Sequence, residues 1–229
     1  MRDLKSLVLR KAIHAVMALS LAAPAVILPK LPESLFPLHR PSPAEVYGLL
    51  MIAAAWVNAL RVKGPAIEVT PEELERILQR TPVGQRVDTA VKWLDSKIRQ
   101  LEREYERRAG WVGLMYGAIG VGVSYFLFGW NFLWGVVALA TTDVASAVVG
   151  AYAGRLRMPF ASTSTVEGTV AGFLAILPVA RLFKDPVSAV LLSAAAALSE
   201  AYGVEDNLEV PFVVSGLAWL MPRLGLGVP

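Results

Sequence analysis

The chain contains no cysteine. Disulfides, thiolate metal sites and cysteine nucleophiles are therefore excluded. Histidine is nearly absent too: the chain has 2, His14 and His39, so a multi-histidine metal centre is all but excluded. Charge is scarce, at 18% of 229 residues, against 55% hydrophobic. With a mean hydropathy of +0.51, the chain is too apolar for an ordinary soluble domain and falls in the membrane class. The net charge of +3 mainly reports orientation in such a protein, and nucleic acid is not an expected partner. The first apolar run does not read as a cleaved signal peptide. It is as long as a short span, and its small-residue stretch contains Pro24.

What is present is a series of apolar runs. Residues 12–28 and 44–60 are each long enough to span, with Pro24 expected to bend or end the first and a proline-rich loop at 29–43 between them. Residues 61–110 are charged and polar. Thr70-Pro71-Glu72-Glu73 has the signature of a helix start, and Thr81-Pro82-Val83-Gly84 breaks that helix. Then Val87, Val91, Leu94, Ile98, Leu101 and Tyr105 alternate four and three apart, giving an amphipathic helix of about three heptads. A helical hairpin within one chain is the favoured arrangement, with a homodimer second.

Membrane runs resume at 111–128, turn at Gly129-Trp130-Asn131, and return through 132–150. A polar loop at 151–165 leads to a run at 166–182, a turn at 183–185, a helix from Pro186 to about Tyr202, an acidic loop at 203–209 and a short run at 210–221. The expected fold is all-α: one membrane domain over 1–229, a polytopic bundle of about seven transmembrane helices, with the 61–110 hairpin as an insertion. That topology puts the N-terminus, 61–110, 151–165 and 203–209 on one side, together with most of the lysines and arginines. The other side keeps only Lys30, Arg40, Arg181, Lys184 and Arg223. The basic side is expected to be cytoplasmic, which makes the protein a multi-pass cell-membrane protein.

Asp143 stands inside an apolar run. A carboxylate there costs about 2.5–3.5 kcal/mol on insertion scales, and it is kept when it meets a cation, a proton or a polar ligand. Ser146, Gly150 and Gly154 follow at spacings of four, a small-residue stripe that admits either another backbone or a ligand. His14, Glu167, Gly168, Glu200, Asp206 and Asn207 fall at or near the same predicted membrane depth as Asp143, on the cytoplasmic side. Carboxylates hold Mg²⁺, and helix N-termini and arginines hold phosphate. The set suits a metal–nucleotide site. Arg10 and Lys11 are read mainly as positive-inside anchors.

The same residues resemble a family. Arg10-Lys11-Ala12-Ile13-His14 is similar to the RKxxH start of the CTP-dependent lipid kinases, the dolichol kinase, phytol kinase and CTP-dependent diacylglycerol kinase group. Asp143-Val144-Ala145 with Gly150 and Gly154 resembles their DxxAxxxGxxxG stretch. Thr165-Val166-Glu167-Gly168-Thr169 resembles the end of their K-[ST]-x-E-G-[ST] motif, and Glu200 with Asp206-Asn207-Leu208 and Pro211 resembles their E…DNLxxP element. The motifs keep their order and cover most of the membrane portion. One position departs: Ser164 stands where the family has lysine.

The resemblance implies an integral membrane kinase that moves the γ-phosphate of CTP, with Mg²⁺, to a lipid alcohol such as dolichol, a shorter prenol or phytol, in contact with membrane lipids. It implies catalytic roles for Asp143, Glu167 and His14, metal ligation by Asp143, Glu200 and Asp206, and nucleotide contacts from Gly150, Gly154, Arg155, Arg157, Thr165, Gly168 and Asn207. One of the carboxylates, or His14, takes the hydroxyl proton. The rivals are a CDP-lipid synthase, and a transporter using intramembrane acids.

Overall fold

A computed structural model describes residues 4–36, 39–63, 112–161 and 163–226. The hairpin expected within 61–110 lies outside the described residues, save that 61–63 close a long helix. The described residues form α1 (Leu4–Ser20), α2 (Ala23–Ile27), α3 (Pro43–Lys63), α4 (Val112–Phe128), α5 (Phe132–Ala153), α6 (Val166–Phe183), α7 (Pro186–Tyr202) and α8 (Asp206–Leu220). No strand occurs among them, only an isolated antiparallel bridge between Arg157 and Thr165.

Local chemistry sets the helix starts. The Ser42 amide donates to the Glu45 carboxylate at 2.6 Å, and the Glu45 amide donates to the Ser42 hydroxyl at 3.2 Å. This reciprocal box opens α3. Thr165 caps α6 by accepting from the Gly168 amide at 3.2 Å. Asp185 caps α7, accepting from the amides of Val187 and Ser188 at 3.0 and 3.1 Å, with Pro186 at the first helical position. The break expected at Pro24 is present: α1 ends at Ser20 and α2 restarts with Pro24 in its first turn. Between α4 and α5 the chain turns at Gly129, whose φ of +57° favours glycine.

Three apolar stretches are long enough to cross a membrane: Leu7–Lys30, Val112–Ala153 and Val166–Phe183. The second, 42 residues long, contains the Gly129–Asn131 turn and so comprises α4 and α5. Several boundaries differ from expectation: α1 already begins at Leu4, within the expected basic segment, and α3 runs past 60 to Lys63. Helix α5 continues past Gly150 to Ala153, and α8 begins at Asp206, inside the expected acidic loop. Acids at a helix N-terminus are favoured by the exposed amides there, so Asp206 and Glu209 suit a first turn as well as they suit a loop.

The chain divides into two compact units, Met1–Ile52 with Gly113–Pro229, and Ala53–Val112. Of the second, the described part is chiefly the end of α3. In the first, α5 is the hub and packs on α1, α6, α7 and α8. Gly135, early in α5, lies against Pro211 and Ser215 of α8, so α5 runs antiparallel to α8 if its later residues meet the start of α8, as shown below. Gly120 of α4 faces the Asn207 and Leu208 backbone, and Phe128 packs on Phe212 and Trp219 at 5.4 and 5.9 Å. Helix α4 is therefore parallel to α8.

One core joins α1, α5, α6, α7 and α8 through Ala18, Leu139, Ile176, Leu192, Ala196 and Val214. A second gathers Ala25, Tyr47, Val121, Phe132 and Val136, with the Tyr47 hydroxyl donating to the Leu21 carbonyl at 2.7 Å. Small residues fill much of the interior, whereas Val16, Leu49, Ile52, Leu174 and Val187 are exposed. Lipid removes the penalty for exposing large apolar side chains, and close helix contact then relies on small ones. Buried hydroxyls bond back along their own helices, as Ser124 does to Gly120 at 2.6 Å and Ser193 to Ala189 at 2.7 Å. This is how a hydroxyl is satisfied where water is absent.

Candidate functional site

Helix α1 brings Lys11 and His14 to one face, because residues three apart are neighbours on a helix. Both meet Asp143 on α5. The Lys11 ammonium is paired with Oδ1 of Asp143, and His14 Nδ1 lies 2.7 Å from Oδ2. Lys11 is 4% and Asp143 1% exposed, so the pair is enclosed. His14 is only part-buried and presents the accessible edge of the cluster. An isolated charge at this depth is costly; a paired one with a further hydrogen bond is tolerated. The cation anticipated for Asp143 is thus Lys11.

Further acids come from α7 and α8. Glu200 faces the Ser146 hydroxyl and lies within electrostatic reach of Asp143, Asp206 and Lys11. Asp206 is also within reach of His14, which brings the later part of α5 to the start of α8 and establishes their antiparallel packing. Asp206 Oδ1 accepts from the Asn207 amide at 2.8 Å. Glu209 accepts from the Val204 amide at 2.9 Å and tightens the α7–α8 connection. Asn207 is 7% exposed, and its Oδ1 has no hydrogen-bond partner among the described residues. Because Asn207 packs against Gly120, about two turns inside α4, the start of α8 lies within the bundle and not at its rim.

The structure therefore brings together His14, Asp143, Glu200 and Asp206 of the expected set, with Asn207 beside Asp206. It adds Lys11, which the sequence presents as an orientation anchor. The usable sign was its spacing: Lys11 precedes His14 by three and so shares its helix face.

The other expected residues make contacts of their own. Gly150 and Gly154 pack against Thr165, and Gly168 packs against the Ser146 carbonyl and Gly150. The small-residue stripe lies at the α5–α6 crossing. Thr165 serves as the α6 cap. Both Glu167 carboxylate oxygens accept from the Leu156 amide at 3.2 Å, tying α6 to the loop after α5. Arg155 is near that carboxylate, and Arg157 donates to the Thr163 carbonyl at 2.9 Å. The Ser164 hydroxyl, at the position where lysine was expected, donates to the Ala201 carbonyl at 3.1 Å and pins this loop to the end of α7.

A metal was expected on Asp143, Glu200 and Asp206. Among the described residues no group of three or more His, Asp or Glu side chains is arranged to hold an ion, and both oxygens of Asp143 are engaged by Lys11 and His14. Asp143 is thus matched by Lys11 and His14. Glu200 and Asp206 remain as a carboxylate pair. Mg²⁺ is commonly held by one or two carboxylates plus substrate phosphates and water, so this donor set fits an ion delivered with a nucleotide.

Comparison with protein-family models, curated proteins and solved structures gave no match. The class defined here is an all-helical protein with membrane-length apolar stretches and a buried Lys–Asp–His cluster flanked by two acids.

Proposed function

We propose that the chain is a multi-pass membrane kinase of a lipid alcohol, using CTP with Mg²⁺, with its N-terminus and site on the cytoplasmic side. The carrying observation is the convergence of Lys11, His14, Asp143, Glu200 and Asp206 from α1, α5, α7 and α8 beside helices with exposed apolar side chains. The motif resemblance and the excess of basic residues on one side support the reading.

In this reading α1, α3, α4, α5, α6, α7 and α8 cross the membrane. The acceptor's chain lies in lipid against α1, and its hydroxyl approaches the part-buried edge of His14. Glu200 and Asp206 hold the nucleotide-borne Mg²⁺, which neutralises phosphate charge. The enclosed Lys11–Asp143 pair fixes α1 against α5 and keeps the cationic side of the site in register with the acids. Phosphoryl transfer depends chiefly on such positioning and charge complementarity. Arg155 and Arg157 reach phosphate only if they exchange their loop contacts for it.

The test is a panel of lipid alcohols (dolichol, shorter prenols, phytol, diacylglycerol) incubated with the purified full chain and γ-labelled CTP. Label in a lipid monophosphate is expected with at least one isoprenoid alcohol. No labelled lipid across the panel would remove the kinase reading and leave a transporter as the better account of the buried acids.

A further inference from the structure

We propose that His14 is the general base of the site, accepting the acceptor alcohol's proton on Nε2, and that Asp143 is the positioning residue that keeps that nitrogen bare. This rests on the kinase reading above and assigns the proton, which the sequence leaves open among His14 and several carboxylates.

The geometry carries the assignment. A carboxylate only accepts hydrogen bonds when ionised, so the 2.7 Å contact between Asp143 Oδ2 and His14 Nδ1 requires the proton to sit on Nδ1. In a neutral ring the lone pair is then on Nε2. A buried carboxylate that fixes an imidazole's tautomer in this way is a recurrent device in proton-transferring sites. The Lys11 ammonium matters equally. It pairs with the other oxygen of the same carboxylate, so the single negative charge of Asp143 is already matched. The form of the ring that can accept a proton is the neutral one, with its own proton on Nδ1. Asp206 adds negative potential nearby, and it favours the imidazolium once the proton has arrived.

The competing bases are placed less well. Asp143 has both oxygens engaged. Glu167 is bound to the Leu156 amide. Glu200 faces Ser146 and Asp206 accepts from the Asn207 amide through one oxygen; these are the rivals that the experiment must separate. His14, part-buried on α1 next to the exposed apolar side chains of Ile13, Val16 and Met17, is where a hydroxyl at the head of a lipid chain arrives.

The step balances as follows. The alcohol O–H bond breaks and its proton passes to Nε2. The oxygen forms a bond to the γ-phosphorus. The bond from that phosphorus to the bridging oxygen breaks, and its electron pair leaves with the nucleoside diphosphate. His14 then releases the proton to water and returns neutral.

Two measurements on the full chain test this. His39→Gln leaves His14 as the sole histidine, so ¹⁵N-histidine labelling with a non-histidine tag reads one ring. The expected spectrum at neutral pH shows a protonated Nδ1 and a bare Nε2, and Asp143→Asn abolishes that preference. A ring protonated on Nε2, or on both nitrogens, overturns the assignment whether or not the kinase reading stands. In the second measurement His14→Ala lowers turnover about 10²-fold or more, the contribution expected of a general base, with little change in KM for CTP. Added imidazole restores part of the loss. Turnover in His14→Ala within tenfold of the parent, or no imidazole rescue of His14→Ala, shifts the base role away from His14 to Glu200 or Asp206 while leaving the kinase reading intact. A parent chain with no transfer to any alcohol overturns both.

Discussion

The Lys11 ammonium and the Asp143 carboxylate, 132 positions apart in sequence, form an enclosed ion pair that ties α1 to the hub helix α5. Removing one partner strands the other charge, which typically costs about 3–5 kcal/mol. Lys11→Met and Asp143→Leu should each lower the melting temperature sharply. The double variant should recover most of the loss, because an apolar pair of similar volume carries no desolvation penalty. Thermal unfolding of all four proteins in one detergent checks this. A double variant as unstable as the sum of the singles would mean that the two charges are not coupled.

At the α5–α6 crossing, a Cβ on Gly168 would come within 2.7 Å of the Ser146 carbonyl and 3.2 Å of Gly150 Cα. Both obstacles are backbone, so the helices must separate. Gly168→Ala is expected to cost about 1–3 kcal/mol, the usual range for overpacking, and to leave the CTP concentration dependence unchanged in the protein that remains folded. A stable variant with a raised KM for CTP would instead return Gly168 to the nucleotide site.

The proposed topology puts the loops before α3 and before α6 on opposite faces. The absence of cysteine makes single-cysteine labelling clean. Ser34→Cys and Thr163→Cys, both at exposed positions, should react with an impermeant maleimide from opposite sides of sealed vesicles. Reaction of both from one side contradicts the crossing order.

Asp185 begins α7 outside the apolar stretches. Ser188, by its side chain and amide, and the Val187 amide hold the Asp185 carboxyl below the usual carboxylate range. A depressed folded pKa contributes stability above the unfolded value, and that contribution fades as pH falls through the folded one. The melting-temperature gap between parent and Asp185→Ala should therefore be widest near neutrality and narrow in acid. A gap that widens in acid would contradict the capping role.

The helices were largely legible because apolar run length and the Pro and Gly breaks are local properties, as Gly129, Pro186 and the Thr165 cap show. Asp143 was legible because a lone acid in an apolar run has few uses. Lys11 was not, since a basic residue near the first span serves equally as an orientation anchor, and its partner is on a helix far along the chain. The stripe of Ser146, Gly150 and Gly154 was ambiguous for a similar reason. Small residues admit a ligand or another helix alike, and the sequence does not show that Thr165 and Gly168 pack along this stripe. Asp206 looked like loop because the acids that stabilise a helix N-terminus are also common in loops.

The central claim is phosphoryl transfer at the Lys11–Asp143–His14 cluster. The most direct measurement compares the parent with the Lys11→Met/Asp143→Leu double variant, each confirmed folded, using CTP labelled at either the α or the γ phosphate and an isoprenoid alcohol. The account predicts γ-label alone in the parent's lipid product, and turnover per folded molecule lower by about 10²–10³-fold in the variant. Appearance of the α-label in lipid would make the protein a cytidylyltransferase, and parental turnover in the variant would remove the cluster from the chemistry.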